Sequence, residues 1–120
     1  MGYTALKFDP FGKAYKFMDR AEELLSVKIF AAVREAVGEQ TDLLVECHDR
    51  FSLSQAIRMA NMLEPYRPYW YETPVMSDNA ENVSEVARRV NIPVIAGERS
   101  RDPKNIAKLR FSTSLYFFLW

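Results

Sequence analysis

Cysteine and histidine are almost missing from this chain of 120 residues: Cys47 and His48 are the only ones of their kind. A single cysteine excludes an internal disulfide and fits a reducing compartment, so a cytoplasmic location is expected. Glycine is scarce, with four residues. None of them builds a phosphate-cradling loop after a strand-like run, which argues against a small flavodoxin-like binding domain. Excess charge of either sign is absent too. The 16 basic and 16 acidic residues balance and are interspersed, so neither nucleic acid nor an anionic membrane is an expected partner. Long apolar runs are lacking. The longest, Leu115-Tyr116-Phe117-Phe118-Leu119-Trp120, falls well short of the ~20 residues that span a bilayer. No signal peptide is expected, because Met1-Gly2-Tyr3 leads straight into a strand-like segment.

What is present alternates between two periods, at a length that suits one domain. Residues 3–9 read as a strand that Pro10 and Gly12 end. Asp19 with Glu22 makes a capping-box pattern. Leu25, Ile29, Ala32, Val33 and Ala36 then recur at helical spacing, with Gly38 where a C-terminal glycine belongs. Residues 43–48 form a second strand-like run. Ser52 and Gln55 repeat the capping-box pattern, ahead of Ala56, Met59, Ala60 and Leu63 on one face, and Pro65 stops that helix. Residues 69–72 form a third strand, Val83, Val86, Ala87 and Val90 mark a third helix, and residues 92–98 form a fourth strand. The order β-α-β-α-β-α-β predicts an α/β fold with four parallel strands and three helices. Its strands are mostly continuous apolar runs, as in sheets that helices cover. Such a unit is a small open sheet or half of a (β/α)₈ barrel. No element pairs with the aromatic end in this reading, and residues 100–120 are a tail without an assigned fold.

Three of the runs end in an acid. Glu46, Glu72 and Glu98 stand 26 residues apart, each closing an apolar segment. Parallel βα sheets hold their ligands at the C-terminal strand ends. Carboxylates converging there repel one another unless a hard cation neutralises them, and oxygen donors suit Mg²⁺. The bland alternative is that each glutamate begins a solvated loop. Side chains two apart on a strand share a face, which puts His48 with Glu46 as a candidate acid or base and turns Cys47 towards the opposite layer, as a small buried hydrophobe. The same rule pairs Lys7 with Asp9. Lys7 could hold a substrate carboxylate or act as a base, and Arg50 could grip a carboxylate with its planar fork. A solvated lysine and a surface arginine are the plainer readings. Trp70 shares the face of Glu72 and suits an inner layer.

Four segments taken together resemble a known family. They are Gly2-Tyr3-Thr4-Ala5-Leu6-Lys7-Phe8-Asp9-Pro10-Phe11-Gly12, Leu44-Val45-Glu46-Cys47-His48-Asp49-Arg50-Phe51, Trp70-Tyr71-Glu72-Thr73-Pro74 and Ala96-Gly97-Glu98-Arg99. The likeness is to the enolase superfamily, in its mandelate racemase and muconate-lactonising branch, and most of all to acid-sugar dehydratases of the galactonate and gluconate type. It implies that residues 1–99 are part of a (β/α)₇β barrel, with Glu46, Glu72 and Glu98 as ligands of one Mg²⁺. It implies that His48, within an acid-x-His-x-Arg motif, is an acid, and that Lys7, Asp9 and Arg50 lie on the substrate side. The implied reaction takes the proton α to a sugar-acid carboxylate, passes through an enediolate and loses the β-hydroxyl to give a 2-keto-3-deoxy acid.

Departures from the pattern shape the expectation. Lys7-Phe8-Asp9 replaces the Lys-x-Lys of racemase-like members, and Glu72-Thr73-Pro74 replaces Glu-Glu-Pro. On this likeness, a general base from a later βα unit, an N-terminal capping domain and a first barrel strand are expected to be missing. The expected product is therefore a partial barrel that is inactive alone, from a truncated gene or one out of register near its end. The alternative is a non-enzymatic α/β module that self-associates through open sheet edges, and a homo-oligomer is expected in that case.

Overall fold

The computed structural model describes residues 2–96 and the strand at residues 115–117. The elements follow the expected order: β1 (Ala5–Phe8), α1 (Arg20–Val37), β2 (Asp42–Glu46), α2 (Leu53–Leu63) with a 3₁₀ turn (Glu64–Tyr66), β3 (Trp70–Glu72), α3 (Ala80–Arg89) and β4 (Val94–Ala96). A fifth strand, β5 (Leu115–Phe117), lies parallel to β4 with Ile95 opposite Tyr116. This corrects the expectation that the aromatic end has no partner. β4 would otherwise be an open edge with unpaired backbone groups, and an apolar, aromatic run is well suited to pair with it.

Among the described residues the five strands pair in parallel, in the order β1-β2-β3-β4-β5. A βα crossover between parallel strands is right-handed, so a sheet that adds strands in one direction places every helix on the same face. A doubly wound sheet needs a reversal in strand order, and none occurs here. The unit is a segment of a barrel wall. Its helix-covered face buries Leu43, Val45, Cys47, Tyr71, Val94 and Ala96 against Phe30, Ala56, Met59, Leu63, Val83 and Val86. Each large apolar side chain buried this way stabilises the fold by roughly 1.5–3 kcal/mol. The Tyr71 hydroxyl, completely enclosed, donates to the Ala56 carbonyl at 3.0 Å.

Local chemistry sets the helix ends. The Asp19 side chain accepts from the Glu22 amide and the Glu22 side chain accepts from the Asp19 amide, both at 2.8 Å, so the capping box is reciprocal. Gly38, at φ 82°, ends α1 with its amide on the Arg34 carbonyl. Ser52 caps α2 by accepting from the Gln55 amide, but Gln55 does not reciprocate. Its side chain accepts from the Met18 amide at 2.9 Å and donates to Glu23 at 3.1 Å.

The buried face of α1 differs from the expected stripe. Glu23, Ser26, Phe30 and Arg34 are buried, whereas Leu25 is 57% and Ile29 38% exposed, and Ala32 and Ala36 face outward. The polar members hold the core face because their partners are fixed. The Arg34 guanidinium alone donates to the carbonyls of Gly38, Thr41, Tyr66 and Arg67 at 2.6–3.0 Å. No helix among the described residues is long and apolar enough to cross a membrane.

Candidate functional site

The uncovered face of the sheet carries Lys7, Leu44, Glu46, Trp70, Glu72 and Ile95, in register across β1 to β4. Glu46 and Glu72 are direct neighbours at the C-terminal ends of β2 and β3. Both are at least 93% buried, yet Glu46 opens on a cleft of about 320 Å³ lined by Lys7, Phe8, Asp9, His48, Asp49 and Thr73. Glu98 lies outside the described residues. Among the described residues no three His, Cys, Asp or Glu side chains converge as a cation cage.

The two carboxyls interact strongly. Burial, and then the negative charge of Glu46, push Glu72 above the usual carboxylate range, against the pull of Lys7. Burial acts on Glu46 in the same direction, but it is outweighed by hydrogen bonds from Thr73 and the His48 amide, which leave Glu46 below that range. The two acids are therefore unequal, Glu72 holding a proton more tightly than Glu46, as expected when like charges sit at close range. The Lys7 ammonium bridges them, 3.3 Å from both oxygens of Glu72 and 3.6 Å from Glu46 Oε2. Trp70 Nε1 donates to Glu72 Oε2 at 3.1 Å. Two hard oxygen donors that attract a positive group have the chemistry a divalent cation requires.

His48 stands at the rim, exposed, with φ 53°, followed by Asp49 at φ 57°. Residues other than glycine seldom adopt left-handed backbone, and surrounding structure must hold them there. Here the Asp49 amide donates to the Thr73 carbonyl and the Phe51 amide to the Pro74 carbonyl, while Ser77 Oγ donates to Asp49 Oδ1 at 2.9 Å. His48 Nδ1 contacts Asp9 Oδ2 at 2.9 Å. A carboxylate oxygen accepts, so Nδ1 carries the hydrogen in this contact, on a residue that lines the cleft.

Asp9, at the cleft, and Arg50 engage each other. Asp9 Oδ1 accepts from the Phe11 amide, and Oδ2 accepts from both His48 and Arg50. Arg50 spends its guanidinium on Asp9 at 2.5 Å and the Gly12 carbonyl at 3.0 Å, over the Phe11 ring, with its side chain 11% exposed. Sequence reasoning missed Thr73 as a partner of Glu46. The substitution of threonine in an expected Glu-Glu-Pro was the available signal. Cys47 is fully buried on the helix-covered side, where burial pushes its thiol well up.

A family model described as enolase C-terminal domain-like matches residues 1–112, past Arg99. The chain is similar to D-gluconate dehydratase of Thermoproteus tenax, 39% identical over 82% of this chain and 20% of that protein. It is also similar to D-gluconate/D-galactonate dehydratase of Picrophilus torridus, 36% identical over 89% of this chain and 27% of that protein. It thus spans about a quarter or less of the length of these curated relatives. The crystal structure of a mandelate racemase/muconate lactonizing enzyme from Jannaschia sp. CCS1 superposes with a TM-score of 0.85 at 38% identity, over 97% of this chain and 32% of that one. With a singly wound sheet, acids at adjacent strand ends and these matches in agreement, the chain belongs to the enolase superfamily, in the enolase C-terminal domain-like family.

Proposed function

We propose that this chain carries part of the active site of a Mg²⁺-dependent acid-sugar dehydratase. The observation that carries this reading is the in-register pair Glu46 and Glu72, set beside a cleft shared by Lys7, Asp9 and His48. Glu46 and Glu72, with Glu98 outside the described residues, would hold the cation. When bound, Mg²⁺ supplies positive charge against the negative charge that builds on the substrate carboxylate as its α-proton leaves. Lys7, already drawn to both glutamates, adds a second positive group on the same side for that carboxylate.

His48 delivers the other proton. Hydroxide is a poor leaving group, so β-elimination needs a proton on the departing oxygen as the bond breaks. The Asp9 contact at Nδ1 fixes the ring of a residue that lines the cleft, so the proton delivered is the Nε2 hydrogen of its imidazolium form, and Arg50 holds Asp9 in turn. Asp9 and Arg50 are then positioning residues for His48. In this reading a base other than His48 takes the α-proton.

The test is a chimera in which this chain replaces the matching segment of the Thermoproteus tenax enzyme, incubated in D₂O with D-gluconate or D-galactonate. The chimera should release a 2-keto-3-deoxy acid. His48→Asn should suppress that release while α-proton exchange survives. Exchange lost in step with elimination would reassign His48 to the base, and a folded chimera inert towards both acids would remove the dehydratase reading.

A further inference from the structure

Thr73 is a β-branched residue in left-handed backbone, at φ 46°, a conformation such residues avoid. Its neighbours hold it there: its amide donates to the Ile95 carbonyl and its carbonyl accepts from the Asp49 amide, both at 2.8 Å. Backbone strain that a fold maintains in this way is a common mark of a site that needs one side chain in one place. The place is evident from the contacts. The residue is 2% exposed, and Thr73 Oγ1 donates to Glu46 Oε1 at 2.7 Å. The His48 amide donates to the same oxygen at 2.9 Å. Two donors commit Oε1, and the other oxygen, Oε2, is the one that reaches towards Lys7 Nζ at 3.6 Å.

We propose that Thr73 is a positioning residue for cation binding: with the His48 amide it holds Glu46 so that Oε2 alone is offered, as a monodentate ligand. This rests on the reading that Glu46 and Glu72 seat a divalent cation. A carboxylate free to rotate in a buried site would lose orientational freedom on binding, and would also turn both oxygens towards its neighbour Glu72. The hydroxyl removes both costs before the cation arrives. Outer partners of metal ligands act in this way through orientation, and their loss typically weakens metal affinity by 10–100-fold. Because Oγ1 must donate, serine preserves the function, while valine of nearly the same shape does not.

The experiment is calorimetric titration of the full chain with MnCl₂ at neutral pH, alongside metal-free thermal melts. Thr73→Val should weaken binding by about 10-fold or more, and Thr73→Ser should stay within about 3-fold of the wild type. Thr73→Ala, which also lacks the donor, takes the place of the valine variant if that variant does not fold. Wild-type affinity in the variant without the hydroxyl would overturn the proposal. So would a serine variant as weak as the valine one, since packing and not the donor would then matter. Glu46→Gln separates the two levels: if it binds Mn²⁺ like the wild type, or if the wild type does not bind, the cation reading itself fails.

Discussion

Glu23 offers the sharpest test of how the fold is held. It is an acid on α1 that is 3% exposed, and four donors converge on it. Arg58 donates through Nε at 2.5 Å and through its terminal nitrogen at 3.1 Å, with Gln55 at 3.1 Å and Arg20 at 3.3 Å. The Arg58 hydrogen bonds, with Gln55 and Arg20 helping against the cost of burial, pull the carboxyl from 4.5 down to about 2. A folded pKa below the unfolded one stabilises the fold fully above about pH 4.5, and that contribution is lost as pH falls towards about 2. The whole shift corresponds to roughly 3 kcal/mol as an upper limit. Arg20 and Arg58 have side chains more than half exposed, 63% and 55%, so water screens them and about 1–2 kcal/mol is expected. Glu23→Gln keeps the shape but turns a donor towards donors. Urea denaturation followed by circular dichroism should show the variant less stable by about 2 kcal/mol at neutral pH, with the gap narrowing as pH drops from about 4.5 towards 2. A gap of the same size at every pH would refute the electrostatic account and leave packing as the cause.

Other predictions follow from contacts already described. Arg34→Ala strands four carbonyls that one guanidinium now satisfies, at the C-terminal end of α1 and beyond the 3₁₀ turn. It should cost about 2–4 kcal/mol in thermal or urea unfolding, and Arg34→Lys should recover little of it, because an ammonium cannot reproduce the fork. A loss no larger than that of an exposed arginine would contradict the role. Lys7→Met removes the positive group that already sits on Glu46 and Glu72, so Mg²⁺ affinity measured by calorimetry should rise several-fold at low salt. A fall would mean that Lys7 supports the cation seat and does not compete with it.

The order of strands and helices was legible because each element carries its own period and its own end signals, as Asp19, Ser52 and Gly38 illustrate. The buried face of α1 was not. A periodic stripe of Leu25, Ile29, Ala32 and Ala36 identifies an apolar face, but Glu23 and Arg34 occupy the core side because hydrogen-bond partners distant in sequence compensate their burial. Those partners, Arg58, Gln55, Tyr66 and Arg67, belong to α2 and the turn that follows it, which hydropathy along α1 cannot register. The strand-end placement of Glu46 and Glu72 was readable from spacing, since one βα step per 26 residues returns the chain to the same edge. The engagement of Arg50 with Asp9 was not readable, because it depends on how the loop after β2 turns back through left-handed backbone at His48 and Asp49. The same holds for Thr73, whose hydroxyl meets Glu46 only once β2 and β3 are in register.

The central claim is that the paired strand-end acids seat a divalent cation, and one measurement addresses it directly: the thermal unfolding midpoint with and without saturating Mg²⁺, in the wild type and in Glu72→Gln. A ligand that binds only the folded chain raises its stability by mass action, by about 2.7 kcal/mol at a hundredfold excess over its dissociation constant. The wild type should show that rise and Glu72→Gln should lose it, while His48→Asn, on the substrate side, keeps it. Equal Mg²⁺ shifts in the wild type and Glu72→Gln would contradict the account.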